Sequence, residues 1–466
     1  MPEDAEVRGV AGGRDIAGQL GLAGMRGVAG VLGCGLLILA GVGMAMAGPE
    51  LVAAATWAAE RGRPVPEWLL GPFGSGLELT GGEFYALLWV AFAGYLAVIW
   101  AAPRLGRALI WRLSVALVLL FTLAPPLLSQ DVFSYIAYAR MGAEAGLNPY
   151  VDLPADLGAP AAGGDAVMTY VGWPDAVSAY GPLFTLGSYA LAPLGLSASL
   201  WVLKALTSAC LLGLVALVGR IAARRGLDPG QAIAIVALNP LTLAHVVGGA
   251  HNDAIMMLVA MGAVALLLAG DQLRGGALLV AAGAIKLSAL FLAPYAAIAA
   301  LRDSLPPVSD HTGAGGRRAW LGLPVVRLAL GALLAALAIG IAAAIAFGAG
   351  AAESLSLIDR NQEATTRYSV PATLSRLLGV GVDPLRTVAL VAFLIAAGLA
   401  AWRTWRGADW VRTAGWAGLA MLLATGWLLP WYLIWVLPLA AIARDRALVG
   451  CLLALTAFQL ISRVPL

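Results

Sequence analysis

An all-α fold built from membrane-spanning helices is what this sequence predicts, on three observations. Hydrophobic residues make up 61% of the 466 and charged residues only 12%, whereas soluble domains carry about a quarter charged. Mean hydropathy is +0.87. The apolar residues fall into runs of about 20, the length that crosses a bilayer, and clusters of arginine separate them. Lipid is therefore the solvent for most of the chain.

Along the chain, Arg8 and Arg14 precede the apolar run 28–47, which lacks a convincing cleavage site before a soluble domain and so reads as a retained first helix. Further spans are expected at 84–102, 109–128, 198–222, 231–248, 253–270, 328–348, 387–403, 413–429, 431–443 and 447–462. With the stretch 275–301 the expected total is about 11–13. Arg104, Arg107 and Arg112, then Arg220, Arg224 and Arg225, then Arg403, Arg406 and Arg412, and finally Arg444 and Arg446 sit between spans. The positive-inside rule assigns all of these to the cytoplasm. The segments 48–83, 129–197 and 349–386 are then external. A loop of about 70 residues after the third span far exceeds ordinary connections and marks a functional region. Within it, 133–144 and 182–194 are amphipathic enough for short helices lying on the membrane.

The arginines also constrain 275–301. Asp271–Gly276 and the segment 302–327, with Arg302, Arg317 and Arg318, both fall on the cytoplasmic side. The intervening stretch must enter and leave there. Two short helices, about 275–285 and 287–301 with Lys286 near the deep turn, satisfy this, provided protein or a watery cavity covers the turn. One straight helix with a snorkelling lysine is the plainer alternative.

The 57 glycines suit close helix packing in lipid. Cys34, Cys210 and Cys451 lie in apolar segments with neither disulfide nor metal spacing. His245, His251 and His311 are too few and scattered for a metal cluster, so no metal and no cofactor is expected. No Walker loop, dinucleotide fingerprint or HExxH motif appears, which leaves ATP-driven transport and metalloprotease chemistry without support. A net charge of +3 gives no reason to expect a nucleic-acid partner.

Chemistry is expected first at Asp131. Ser129-Gln130-Asp131 opens the longest polar stretch, and a carboxylate at the mouth of a membrane helix is costly. It is either a solvated helix-end charge or a general base within reach of an acceptor hydroxyl. Phe133, Tyr135, Tyr138, Tyr150, Tyr170, Trp173 and Tyr180 supply faces that suit sugar rings, though such residues also crowd membrane interfaces. His251-Asn252-Asp253 forms a short external turn with more polar groups than a connector needs; Asp253 could equally cap the next helix. Arg360 and Arg367 are external cations, read either as anion ligands or as surface charge offset by Glu353, Asp359 and Glu363. Trp431 and Tyr432, in LPWYLIWVLP, lie at the external end of a helix, where an aromatic belt is the plain explanation.

Five stretches together carry a family resemblance: SQDVFSYIAYARMGAEAGLNPY from Ser129, AYGPL at Ala179–Leu183, GGAHNDA at Gly248–Ala254, AIKLSALFLAP at Ala284–Pro294, and PWYLIWVLPL from Pro430. From about Leu113 to the end, the chain resembles actinobacterial polyprenol-phosphate-mannose-dependent α-1,6-mannosyltransferases, multi-spanning enzymes of the GT-C glycosyltransferase fold. The resemblance implies a catalytic Asp at position 131, two juxtamembrane helices in the long loop, a short helical pair later, and no metal. It also implies a polyprenyl-phosphate-linked sugar donor, a mannan or glycolipid acceptor, and an active site on the extracytoplasmic face of the plasma membrane. Asp131 stands alone at the helix mouth where many relatives carry paired acids.

In this picture 1–108 is an N-terminal segment with two spans, 109–348 the catalytic module, 349–386 an external loop and 387–466 the C-terminal spans. Lys286, Arg360 and Arg367 are candidates to hold the donor phosphate. Asn148, Tyr150, Tyr180, His251, Asn252, Asp253, Trp431 and Tyr432 are candidates for the sugar and acceptor pockets. Another GT-C activity, arabinosyl transfer or protein O-mannosylation, is the nearest alternative. A transporter is a more distant one, since it predicts internal repeats that are not evident.

Overall fold

The computed structural model describes residues 3–60, 62–73, 76–305, 322–350 and 365–463, with side chains from Gly24 onward. Among them every regular element is helical, and one isolated bridge joins Ala47 to Leu77. Five helices are long and apolar enough to cross a membrane: Gly24–Ala45 (within helix Glu3–Ala45), Gly81–Leu105, Leu196–Arg224, Pro324–Phe347 and Val382–Trp405. Shorter apolar helices include Arg107–Leu123, Asp253–Leu268, Gln272–Ile285, Trp410–Ala424 and Arg446–Ser462.

Glycine acts here as a packing residue. A Cβ on Gly33 would meet the Gly94 carbonyl at 2.8 Å, and one on Gly94 the Gly33 carbonyl at 2.7 Å. Helices Glu3–Ala45 and Gly81–Leu105 therefore cross backbone to backbone. Two polar pairs are buried between helices: Tyr95 donates to the Ile235 carbonyl at 2.8 Å, and Asn239 Nδ2 to Thr456 Oγ1 at 3.1 Å.

Two expected spans are interrupted. Over 231–248 the chain forms helix Pro229–Ala237, breaks at Asn239-Pro240, and continues as a π-turn, Thr242–Val247. Pro240 has no N–H to donate, and the Asn239 side chain takes the Leu241 N–H instead. Over 431–443 a 3₁₀ turn, Pro430–Trp435, precedes a short helix, Leu437–Ile442.

The segment 275–301 is not one straight helix. Helix Gln272–Ile285 ends at Lys286, whose backbone is extended (φ −153°, ψ 122°), and a 3₁₀ turn leads into helix Ala293–Asp303. The first arm packs on Asp253–Leu268 and Pro324–Phe347, the second on Pro324–Phe347 and Val382–Trp405.

The two expected helices of the long loop are present as Asp131–Ala143 and Pro182–Ser188, the second extended by a 3₁₀ turn to Leu194. The first does not lie on the surface as expected. Val132–Ala139 is buried throughout, because loop residues 150–180 and neighbouring helices cover it.

The bundle has two distinct faces. On one, Arg225 pairs with Asp409, Arg412 with Asp445 at 2.6 Å, and Arg444 donates to the Arg225 carbonyl. Helix Leu196–Arg224, 29 residues and so about 43 Å long, separates that face from the loop carrying Asp131. Helices Asp253–Leu268 and Gln272–Ile285 have only 16 and 14 residues, about 24 and 21 Å, short of the ~30 Å hydrocarbon core. Their ends near Asp271 belong to the arginine-rich side. Asp253 and Lys286, at the other ends, are therefore recessed below the opposite surface.

Candidate active site

Asp131 is delivered by a break in the chain. Helix Arg107–Leu123 stops before Pro125-Pro126, and Leu128 adopts φ +60°, a left-handed conformation unusual for a non-glycine residue. Leu128 N–H donates to the Leu51 carbonyl at 3.2 Å and Leu127 N–H to the Gly248 carbonyl at 3.3 Å. Asp131 then opens the next helix, where a carboxylate is favoured by the helix dipole, and its N–H donates to Ser129 Oγ at 3.2 Å.

The His251-Asn252-Asp253 turn follows the π-turn, with Ala250 at φ +55°. Strained backbone of this kind clusters at functional sites. Each of these three residues is at most 1% exposed, so the expected external turn is an interior one. Asp253 Oδ1 accepts from Trp435 Nε1 at 2.5 Å, and both its oxygens accept from Lys286 Nζ at 2.9 Å. The ammonium also lies 5.3 and 5.5 Å from the Tyr432 and Trp435 ring centres, within cation–π range. One buried carboxylate thereby joins residues 253, 286 and 435.

His251 connects this pair to Asp131. Its ring stacks on Trp431 (3.7 Å between centroids, 18° between planes), and Nδ1 lies 3.5 Å from Asp131 Oδ2. Burial, aided by the charge of Lys286, pushes the imidazole well below its usual range, so Asp131 faces a neutral ring. Burial raises the Asp131 carboxyl to about 6; Lys286 opposes the rise, Asp253 adds to it, and Trp173 and Ser129 pull it down less strongly. Even so, 19% of the Asp131 side chain is accessible, enough to meet an incoming hydroxyl. The second acid beside Asp131 is thus Asp253, from a distant segment. The nitrogens of His245 and His251 and both polar atoms of the Asn252 side chain are buried without hydrogen-bond partners, an arrangement that suits ligand hydroxyls.

These elements meet through close backbone contact. Gly181 donates to the Ile285 carbonyl at 3.0 Å, and a Cβ there would sit 2.2 Å from the Ala284 carbonyl oxygen. Only glycine lets AYGPL approach the helix end that presents Lys286.

A family model described as "Alpha-(1->6)-mannopyranosyltransferase, N-terminal domain" matches residues 26–302, and one for "Glycosyltransferase family 87" matches 179–429. The chain belongs to the alpha-(1->6)-mannopyranosyltransferase family. It is a membrane mannosyltransferase of the GT-C type. It is 28% identical over 415 residues to alpha-(1->6)-mannopyranosyltransferase A of Mycobacterium tuberculosis, covering 84% of this chain and 77% of that protein. It is 29% identical over 269 residues to the A enzyme of Corynebacterium glutamicum, covering 49% and 52%. The B enzyme of C. glutamicum is 25% identical over 189 residues, 39% of this chain and 31% of its own length. No solved structure matches.

In this mannosyltransferase the expected site residues separate into three groups. Asp131, His251, Asp253, Lys286, Trp431 and Tyr432 converge as described. Asn252 and Tyr180 join them through Tyr135, whose hydroxyl accepts the Asn252 N–H at 3.5 Å and whose ring packs edge-on to Tyr180 at 4.8 Å. Asn148 and Tyr150 fasten the loop instead. Asn148 Nδ2 donates to the Phe347 carbonyl at 2.7 Å; the Tyr150 hydroxyl reaches the Tyr180 carbonyl at 2.9 Å and Thr185 Oγ1 at 3.0 Å. Arg367 sits over Tyr368 at 5.2 Å, and Arg360 lies outside the described residues.

Sequence reading missed Trp435 and Lys204. Lys204 is fully buried and donates to the Gly248 carbonyl at 2.8 Å, the same oxygen that holds Leu127. A signal for it existed: the chain has only two lysines, Lys204 and Lys286.

Proposed function

We propose that this mannosyltransferase transfers mannose from a polyprenyl-phosphate-mannose donor to a growing α-1,6-mannan or lipoglycan acceptor, at the extracytoplasmic face of the plasma membrane. Asp131 is the general base. It removes the proton of the acceptor hydroxyl as that oxygen bonds to the anomeric carbon. The bond from this carbon to the phosphate oxygen breaks, and its electron pair leaves with the lipid phosphate. One displacement with inversion converts a β-linked phosphosugar into an α-glycoside. The leaving phosphate departs ionised, so no general acid is needed. Positive charge is needed, and Lys286, Arg360 and Arg367 are assigned to it. Asn252, His251, Trp431, Tyr432 and Tyr180 shape the sugar pocket, and Asn148 and Tyr150 hold the loop that closes over it.

The observation that carries this reading is the accessible Asp131 carboxyl, raised to about 6 and facing a neutral His251 at 3.5 Å. A base with a pKa near working pH combines availability with proton affinity. The test uses the reconstituted enzyme, labelled polyprenyl-phosphomannose and a short α-1,6-linked mannan, with linkage analysis of the product and a polyprenyl-phosphate arabinose donor in parallel. New α-1,6-mannose that disappears with Asp131→Asn supports the assignment; arabinose transfer in place of mannose, or normal turnover by the variant, refutes it.

A further inference from the structure

A second cluster, next to the one already described, surrounds Arg367 with cations that have no role in the chemistry above. Arg463, at the end of helix Arg446–Ser462, is half-buried. Its Nη2 donates to the Leu428 carbonyl at 3.1 Å, its Nε to Gln459 Oε1 at 3.4 Å, and its guanidinium lies 4.3 Å from the centre of the Tyr368 ring. Arg367 approaches the same ring at 5.2 Å, which bounds the separation of the two guanidinium carbons at 9.5 Å. Arg376 Nη1 donates to the Arg367 carbonyl and its Nη2 to Thr373 Oγ1 at 3.3 Å. Among the described residues no carboxylate lies within 4 Å of any of the three. Like charges held near one another, with no acid among the described residues, favour an anion that joins them.

Two independent observations say what kind of anion. Helix Val370–Leu378, which carries Arg376, exposes Leu374 (43%), Leu377 (76%) and Leu378 (63%) beside the arginines, so an apolar surface adjoins the cationic one. The cluster is also tied to the catalytic residues. Thr366 N–H donates to the Gly426 carbonyl at 2.9 Å, Arg463 holds Leu428, and three residues later Trp431 stacks on His251.

We propose that Arg463, Arg367 and Arg376 form the seat for the phosphate of a long-chain polyprenyl carrier, with the leucine face of Val370–Leu378 receiving the start of its chain. Planar guanidinium forks match phosphate oxygens, and the leucines distinguish a lipid phosphate from a soluble one. The seat deepens the proposed function, resting on a lipid-phosphate sugar donor, and it adds Arg463 and Arg376, which sequence reading did not single out.

The test is carrier binding, independent of transfer. Full-length protein in phosphatidylcholine nanodiscs is titrated with sugar-free polyprenyl monophosphate, with phosphatidylglycerol and inorganic phosphate in separate arms. Arg463→Gln should weaken polyprenyl phosphate binding about tenfold, the effect of one charge-assisted contact. Arg376→Gln, at an exposed position that tolerates change, should weaken it about threefold. Arg104→Gln, on the arginine-rich face, should leave it unchanged. Wild-type carrier binding by both Arg463→Gln and Arg376→Gln overturns the proposal. So does phosphatidylglycerol or inorganic phosphate competing as well as the carrier. Because the probe bears no sugar, lost carrier binding in Arg463→Gln stands even if mannose transfer is never detected. Intact carrier binding in a variant that transfers mannose normally removes the seat and leaves the proposed function.

Discussion

Replacing Asp131 by asparagine should abolish transfer and stabilise the protein, and the stabilisation should depend on pH. The rise of this carboxyl from its ordinary 3.8 to about 6 corresponds to about 3 kcal/mol between its two protonation states. For an acid whose folded pKa is raised, the sign is fixed. Its favourable contribution is complete below pH 3.8, where the group is neutral in both folded and unfolded chains. That contribution is lost as pH rises through 6, because the unfolded chain ionises freely and the folded site resists. At pH 8 the folded enzyme therefore carries the full penalty of an ionised, desolvated carboxylate. Asparagine keeps the shape and removes the charge. The variant should be more stable than wild type by up to about 3 kcal/mol at pH 8, and by only about 1 kcal/mol at pH 4.5.

The assay is thermal unfolding of the detergent-solubilised full-length pair across pH 4.5 to 8, with transfer measured on the same preparations. Wild-type kcat/KM should be flat above pH 7 and fall about tenfold for each pH unit below 6. The expected pattern is a stability difference that grows between pH 4.5 and 6.5 and levels off above, while transfer by the variant is absent throughout. A variant equally stable or less stable than wild type at pH 8 would refute the reasoning, because Asp131 would then be satisfied by partners and not held as a base.

Lys286→Met should leave the Asp253 carboxylate buried with Trp435 as its remaining donor and cost about 3–5 kcal/mol, read as a lower unfolding midpoint; in whatever enzyme remains, loss of the cation that pulls Asp131 down should move the acid limb of kcat/KM above pH 6. Gly181→Ala places a methyl 2.2 Å from the Ala284 carbonyl oxygen and should displace the break at Lys286, lowering transfer at least tenfold, with reduced amide protection at 284–288 in hydrogen exchange. Asn148→Ala removes the bond to the Phe347 carbonyl and should cost about 1–3 kcal/mol with little change in donor KM; a large rise in KM without loss of stability would make Asn148 a ligand of the sugar instead. Lys204→Met should release the Gly248 carbonyl from one of its two donors, leaving a folded enzyme with reduced transfer and faster amide exchange at 247–253.

Much of the fold was legible because hydrophobic run length and arginine placement are physical constraints that the chain cannot hide. Parity of charge favoured a break within 275–301 over one straight helix, and the structure has one at Lys286. The interruptions at Asn239-Pro240 and Pro430–Trp435 were less legible, because a run of apolar residues reads the same whether it is a continuous helix or a helix followed by a π- or 3₁₀-turn. For the site, Asp131 and the His251-Asn252-Asp253 turn stood out as polar groups in apolar surroundings. Their meeting did not, since 120 residues separate them and nothing local encodes that His251 Nδ1 comes within 3.5 Å of Asp131. Trp435 looked like one more belt aromatic; only the Asp253 carboxylate at 2.5 Å distinguishes it. Asn148 and Tyr150 illustrate the converse, since loop polarity signals hydrogen bonding without saying whether the partner is a ligand or the protein itself.

The two neighbouring carboxylates are best understood as a division of labour set by their partners. Asp253 is surrounded by donors, two bonds from Lys286 and one from the Trp435 indole, and these tie three distant segments together. Asp131 has a neutral imidazole at 3.5 Å and partial access to the outside. Because Lys286 makes its short contacts with Asp253, its charge reaches Asp131 only at longer range and does not outweigh burial. Exchanging the partners would undo the arrangement: a cation in direct contact with Asp131 would favour its charged form and lower its affinity for a proton. The Lys286–Asp253 pair thus keeps the cation from cancelling the basicity that burial gives Asp131. It also explains why the chain keeps a lysine at the end of a helix too short to cross the membrane, where the ammonium meets a carboxylate before it meets water.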